Sequence, residues 1–76
     1  MSKSITISGF PYSIDFEHME TVYLKTDPDQ MERLVTQVIL KPYGTVMYEL
    51  SYDNSASYHY DFEISKERNV IKVTTN

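Results

Sequence analysis

From Thr45 to Tyr52 the chain alternates, with Val46, Tyr48, Leu50 and Tyr52 separated by Thr45, Met47, Glu49 and Ser51. From Tyr58 to Ser65 the alternation returns: Tyr58, Tyr60, Phe62 and Ile64 are separated by His59, Asp61, Glu63 and Ser65. A period of two marks half-buried strands, so both segments are predicted as strands with their even-numbered residues facing the core. The polar segment Asp53-Asn54-Ser55-Ala56-Ser57 between them is made of turn formers and predicts a loop. That loop sets Tyr52 against Tyr58, Leu50 against Tyr60, Tyr48 against Phe62 and Val46 against Ile64. Every inward residue then meets another inward residue, and a one-residue slip would flip a whole face.

The preceding turn, Lys41-Pro42-Tyr43-Gly44-Thr45, gives the same phase. Pro42 suits the fixed φ of a type I turn, and Gly44 supplies the left-handed residue of a three-residue hairpin loop. Leu40 then faces Val46, Val38 faces Tyr48 and Thr36 faces Leu50. Upstream, Asp27-Pro28-Asp29-Gln30 has the form of a capping box, and Met31, Leu34, Val35, Val38 and Ile39 follow at helical spacing. Four β-branched residues (Val35, Thr36, Val38 and Ile39) and the hairpin register oppose a long helix. The reading adopted is one short helical turn near Pro28 to Glu32, then a strand from Arg33 to Lys41. Thr21 to Thr26 reads as a strand with Val22 and Leu24 inward. Lys66-Glu67-Arg68-Asn69 reads as a polar turn, and Val70 to Thr74 as a closing strand. Near the start, Ser4 to Ile7 and Ser13 to Phe16 are expected to form a hairpin over Gly9 to Tyr12, with Ile7 opposite Ile14 and Ile5 opposite Phe16.

These segments carry a resemblance. Val22-Tyr23-Leu24-Lys25-Thr26-Asp27, Leu34-Val35-Thr36, Tyr48-Glu49-Leu50-Ser51 and His59-Tyr60-Asp61-Phe62-Glu63-Ile64-Ser65 together resemble small SH3-like barrels of the Tudor or KOW kind, encoded by bacteria and their phages. The likeness covers roughly the last 55 residues. It departs at Met19-Glu20-Thr21, where such barrels often carry a Gly-Asp turn. It implies a mostly β fold: a small five-stranded antiparallel barrel over residues 19–76, with residues 1–18 as an N-terminal extension. It also implies a binding role, an adaptor or, in a phage, an inhibitor of a host protein.

Composition narrows the function classes. Seventy-six residues make one domain, and a chain this short buries only about 60% of its unfolded surface. Seven Tyr and three Phe supply the large side chains that such a core needs. There is no Cys, hence no disulfide and no thiolate metal site. A net charge of −4 with interspersed signs argues against a nucleic-acid groove, which needs clustered Lys and Arg. No apolar run reaches signal-peptide or membrane-spanning length, which points to the cytoplasm. No nucleophile motif, phosphate-binding glycine loop or His/Cys metal spacing occurs, so neither an enzyme nor a cofactor is implied.

The candidate partner-binding residues follow from the predicted register. Tyr52 and Tyr58 should form a cross-strand pair at the rim, joined by His59 and Tyr60 as a stacking or peptide-docking platform. Glu49 and Asp61 should oppose each other on the outer face, with Ser51 facing His59, as surface charges or partner contacts. Tyr43, at the tip of a tight turn, gains little from folding and is a contact candidate. Asp27 sits in the first loop, as a helix cap or a ligand contact. His18 is solvated and has no role. The leading expectation is a non-catalytic module that binds a partner protein through its loops and Tyr-rich rim. Two alternatives stand beside it: nucleotide or single-stranded nucleic-acid binding by stacking on Tyr52, Tyr58 and Tyr60, and a structural subunit of a homo-oligomer paired through edge strands.

Overall fold

The computed structural model describes residues 3–68. The expected turn residue Asn69 and the strand expected at Val70 to Thr74 lie outside the described residues. Seven strands follow in chain order: β1 (Lys3–Ile7), β2 (Phe10–Ile14), β3 (Thr21–Leu24), β4 (Arg33–Lys41), β5 (Thr45–Tyr52), β6 (Ser55–Tyr60) and β7 (Ile64–Ser65). A three-residue loop, Pro42–Gly44, with Tyr43 and Gly44 left-handed, links β4 to β5, and a 3-10 turn, Asp61–Glu63, links β6 to β7. β1 and β2 form a two-stranded sheet, and the others form an antiparallel sheet in the order β6-β5-β4-β3-β7. Among the described residues the edge strands β6 and β7 are not paired with each other, so no closed barrel is formed.

The central hairpin follows its hydrophobic pattern. β4 and β5 have the expected limits, and Leu40 pairs with Val46 and Val38 with Tyr48. Tyr48, Leu50, Val22 and Val35 are fully buried, joined in one core by Tyr12, Phe16, Leu24, Val46 and Ile64. The Tyr48 ring meets Phe16 edge-on at 5.3 Å, and its hydroxyl accepts from the Asp15 N–H at 2.9 Å. Burial pushes the Tyr48 phenol above its ordinary value.

Four expectations are corrected. Leu50 pairs with Val35, not Thr36, because a bulge between Val35 and Gln37 leaves Thr36 outside the ladder. Before the bulge the inward residues of β4 are odd-numbered, which puts Val35 in the core, while after it Val38 and Leu40 keep the expected even phase.

The β5–β6 loop holds two residues, Asp53 and Asn54, rather than five. Asp53 takes φ 58°, a conformation that Asp tolerates and a tight hairpin needs. Tyr52 therefore pairs with Ser55, Leu50 with Ser57, Tyr48 with His59 and Glu49 with Tyr58. This odd shift turns Ser57 and His59 toward the face of Tyr48 and moves Tyr58 and Tyr60 to the outer face. The Asp61–Glu63 turn then restores the phase, burying Ile64 and leaving Phe62, expected inward, exposed.

The N-terminal hairpin likewise closes over two residues, Ser8 and Gly9, both at positive φ. Ile7 therefore pairs with Phe10 and Ile5 with Tyr12, in place of Ile14 and Phe16.

The segment from Pro28 to Glu32 is a turn without a helix. Gln30, at φ 48°, interrupts any helical run, and its Nε2 donates to the Leu24 and Asp27 carbonyls. Asp27 accordingly caps no helix. Its carboxylate accepts from the Asp29 and Met31 N–H groups at 3.0 Å each, closing the loop locally.

Candidate functional site

The Pro42–Gly44 loop and the Asp61–Glu63 turn lie together at one end of the sheet. Gly44, Thr45, Val46, Tyr60, Asp61 and Phe62 line an open pocket of about 420 Å³ between them. Tyr60 reaches it from the end of β6, and Phe62 stacks parallel on the Tyr60 ring at 5.6 Å with 10° between planes. Phe62 keeps 68% of its surface exposed. The Asp61 Oδ1 accepts from the Phe62 N–H at 2.9 Å, which fixes the turn. Beside Gly44, Tyr43 is 80% exposed, with its ring edge-on to Phe10 at 5.4 Å. Its φ of 70° is a costly conformation for a bulky aromatic. The exposed Phe62 and the half-buried Tyr60 thus line the concavity, with the exposed, left-handed Tyr43 next in the chain to its residue Gly44.

The other candidates fall elsewhere. Tyr52 and Tyr58 are not a cross-strand pair. Tyr52 belongs to the Tyr48 and Leu50 side of β5, and the Arg33 guanidinium lies over its ring at 5.1 Å. Arg33 Nη2 also donates to Asp27 Oδ2 at 3.2 Å, so Asp27, Arg33 and Tyr52 form one cluster. The Met31 and Asp29 N–H groups, then Arg33, hold the Asp27 carboxyl below its ordinary range. Glu49 does not oppose Asp61, nor Ser51 His59. Glu49 accepts from the Thr36 hydroxyl at 2.7 Å and from the Tyr58 hydroxyl at 3.1 Å. The bulge aims Thr36 at that carboxylate. These bonds, that of Thr36 foremost, lower the Glu49 pKa, and the bond to Glu49 raises that of Tyr58. Because Tyr52 and the Tyr58–Tyr60 pair lie on opposite faces, the three rings do not make one stacking platform.

His59 points inward from β6. Its Nε2 lies 2.7 Å from Ser57 Oγ, and its Nδ1 lies 2.8 Å from Glu63 Oε1. Ser57 and His59 share a face through the two-residue repeat of the strand, and the 3-10 turn brings Glu63 back toward them.

Of the expected residues, the structure brings Tyr60 and Asp61 together at the pocket, with Tyr43 beside it. Sequence reasoning missed Phe62, because Tyr58, Tyr60, Phe62 and Ile64 alternate without a break through the 3-10 turn. It also missed Ser57 and Glu63, whose link to His59 depends on the two-residue loop. Among the described residues, no group of three or more His, Cys, Asp or Glu could hold a metal ion. Nor is any helix among them long and apolar enough to cross a membrane. Compared with known proteins, the chain matches no family model, no curated protein and no solved structure.

Proposed function

We propose that the chain is a protein-interaction module whose partner docks on the pocket between the Pro42–Gly44 loop and the Asp61–Glu63 turn, against Tyr60, Phe62 and the neighbouring Tyr43. The observation that carries this reading is the exposed Phe62 ring stacked on the half-buried Tyr60. An aromatic ring left 68% in water contributes little to folding, and rings of this kind are enriched at interface centres. Asp61 supplies a polar rim next to the rings. Tyr43, next in the chain to the pocket residue Gly44, adds a second exposed ring, held in a left-handed backbone that is costly for an aromatic.

The SH3-like reading of the fold belongs to the same proposal. The 3-10 turn after β6 carries the chain from one edge of the five-stranded sheet to β7 on the other edge, where it pairs with β3. That connection requires a strongly curled sheet and supports an SH3-like arrangement in which connecting loops present the binding surface. On this reading the module acts as an adaptor or inhibitor.

The test is co-purification from native lysate, comparing the wild-type chain with a folded Tyr60→Ser/Phe62→Ser variant. A stoichiometric protein held by the wild type and lost by the variant is the expected result. A protein retained equally by both would move the interface to another surface. No stoichiometric protein in either would contradict the reading.

A further inference from the structure

We infer that Ser57 is a nucleophilic serine, activated by His59 and positioned by Glu63, able to take an acyl group from small activated esters. This inference stands on its own geometry and does not rest on the docking reading.

The three side chains form a chain of contacts: Ser57 Oγ to His59 Nε2 at 2.7 Å, then His59 Nδ1 to Glu63 Oε1 at 2.8 Å. A carboxylate can only accept, so in the neutral imidazole the proton sits on Nδ1. Nε2 is then the acceptor for the Ser57 hydroxyl. Hydroxyl, base and orienting carboxylate stand in the order that activates a serine. The His59 and Glu63 side chains keep 18% and 33% exposure, and Ser57 is half-buried, so none of the three is sealed from solvent. Among the described residues β6 is an edge strand of the sheet. The backbone N–H groups of β6 that do not face β5 are the donors available to a developing oxyanion.

In the acylation step, Ser57 Oγ attacks the ester carbonyl carbon and its proton passes to His59 Nε2. The bond to the leaving alkoxide or phenoxide breaks, and Nε2 returns the proton to that group. The products are an ester on Ser57 and the free alcohol or phenol. Water, deprotonated by His59, then attacks the ester, releasing the carboxylic acid and restoring the Ser57 hydroxyl. Glu63 touches no reacting atom and is a positioning residue.

The experiment treats the full chain with p-nitrophenyl acetate and, separately, with a fluorophosphonate, reading adducts by intact mass and peptide mapping. The chain contains eight serines, so Ser55 on the same strand is an internal control. The expected result is one dominant adduct on Ser57. His59→Gln should slow its formation by about 10²–10⁴-fold. Glu63→Gln should slow it less, and the conservative Glu63→Asp should restore part of the rate. Circular dichroism shows whether each variant is folded. Labelling of Ser57 no faster than Ser55, adducts on tyrosines alone, or a folded His59→Gln variant that reacts at the wild-type rate would each overturn the inference.

Discussion

Replacing Gly44 with alanine tests how the N-terminal hairpin is seated on the larger sheet. Gly44 has φ +84°, and a Cβ built on it would lie 2.8 Å from the Pro11 carbonyl oxygen in β2. That distance is shorter than Cβ contacts allow, and the obstacle is backbone rather than the end of a flexible side chain. The cost has two parts. A left-handed residue with a Cβ loses about 1–2 kcal/mol. Forcing the hairpin away adds roughly 1–3 kcal/mol, the usual range for overpacking. Gly9→Ala separates the two parts. Gly9 has φ +83°, but nothing lies within 4 Å of its added Cβ, so only the conformational cost applies. Urea denaturation followed by circular dichroism should show both variants destabilised. Gly44→Ala should be the worse by about 1–3 kcal/mol, a further loss in Tm of several degrees at about 4–8 °C per kcal/mol. Equal destabilisation would refute the close packing of β2 on the Pro42–Gly44 turn.

Further outcomes follow from the core, the carboxylates and the rim. Leu50 is fully buried, so Leu50→Ala should cost about 2–5 kcal/mol, and loss of the cooperative unfolding transition at ambient temperature checks it. The Glu49 and Asp27 pKa values are lowered by folding. Their contribution is therefore complete above the unfolded carboxylate range near about 4 and is lost as pH falls through the folded values. Glu49→Gln should flatten that acid limb in a pH series of urea midpoints, and an unchanged limb would contradict the Thr36–Glu49–Tyr58 contact. Tyr43→Asn relieves a left-handed aromatic but gives up the Phe10 contact, worth roughly 0.5–1.5 kcal/mol. Stability should stay level or rise slightly while partner capture falls, and a fall in stability without a fall in capture would contradict the role given to Tyr43.

Much of the central sheet was legible in the sequence because two independent signals agreed there. The alternation of β5 and the Pro42–Gly44 turn set the same phase, and the strands at Arg33 to Lys41 and Thr45 to Tyr52 follow it. The core positions Val22 and Leu24 were legible from the local pattern of their own strand. What failed was phase beyond a turn of ambiguous length. Asp53 to Ser57 are all small or polar, so a five-residue loop and a two-residue turn satisfy the local chemistry equally. The choice between them flips every side chain of β6. The Thr36 bulge had no local marker, since any β-branched residue can sit in or out of a ladder. The 3-10 turn at Asp61 to Glu63 was masked by an alternation that runs through it. These same three features assemble the sites. The flipped β6 brings Tyr60 to the outer face, its early start at Ser55 puts Ser57 on the strand face of His59, the 3-10 turn exposes Phe62, and the bulge gives Glu49 its Thr36 partner. Tyr60 and Asp61 were therefore nameable as candidates from sequence, while the residue that completes their surface was not.

The docking claim is tested most directly by hydrogen exchange of the chain alone and in complex with the protein that it captures. Protection is predicted to concentrate on residues 43–45 and 60–63, the two lips of the pocket. Protection confined to the β1–β2 hairpin or to the Asp27–Arg33 loop, with those two turns unchanged, would contradict it.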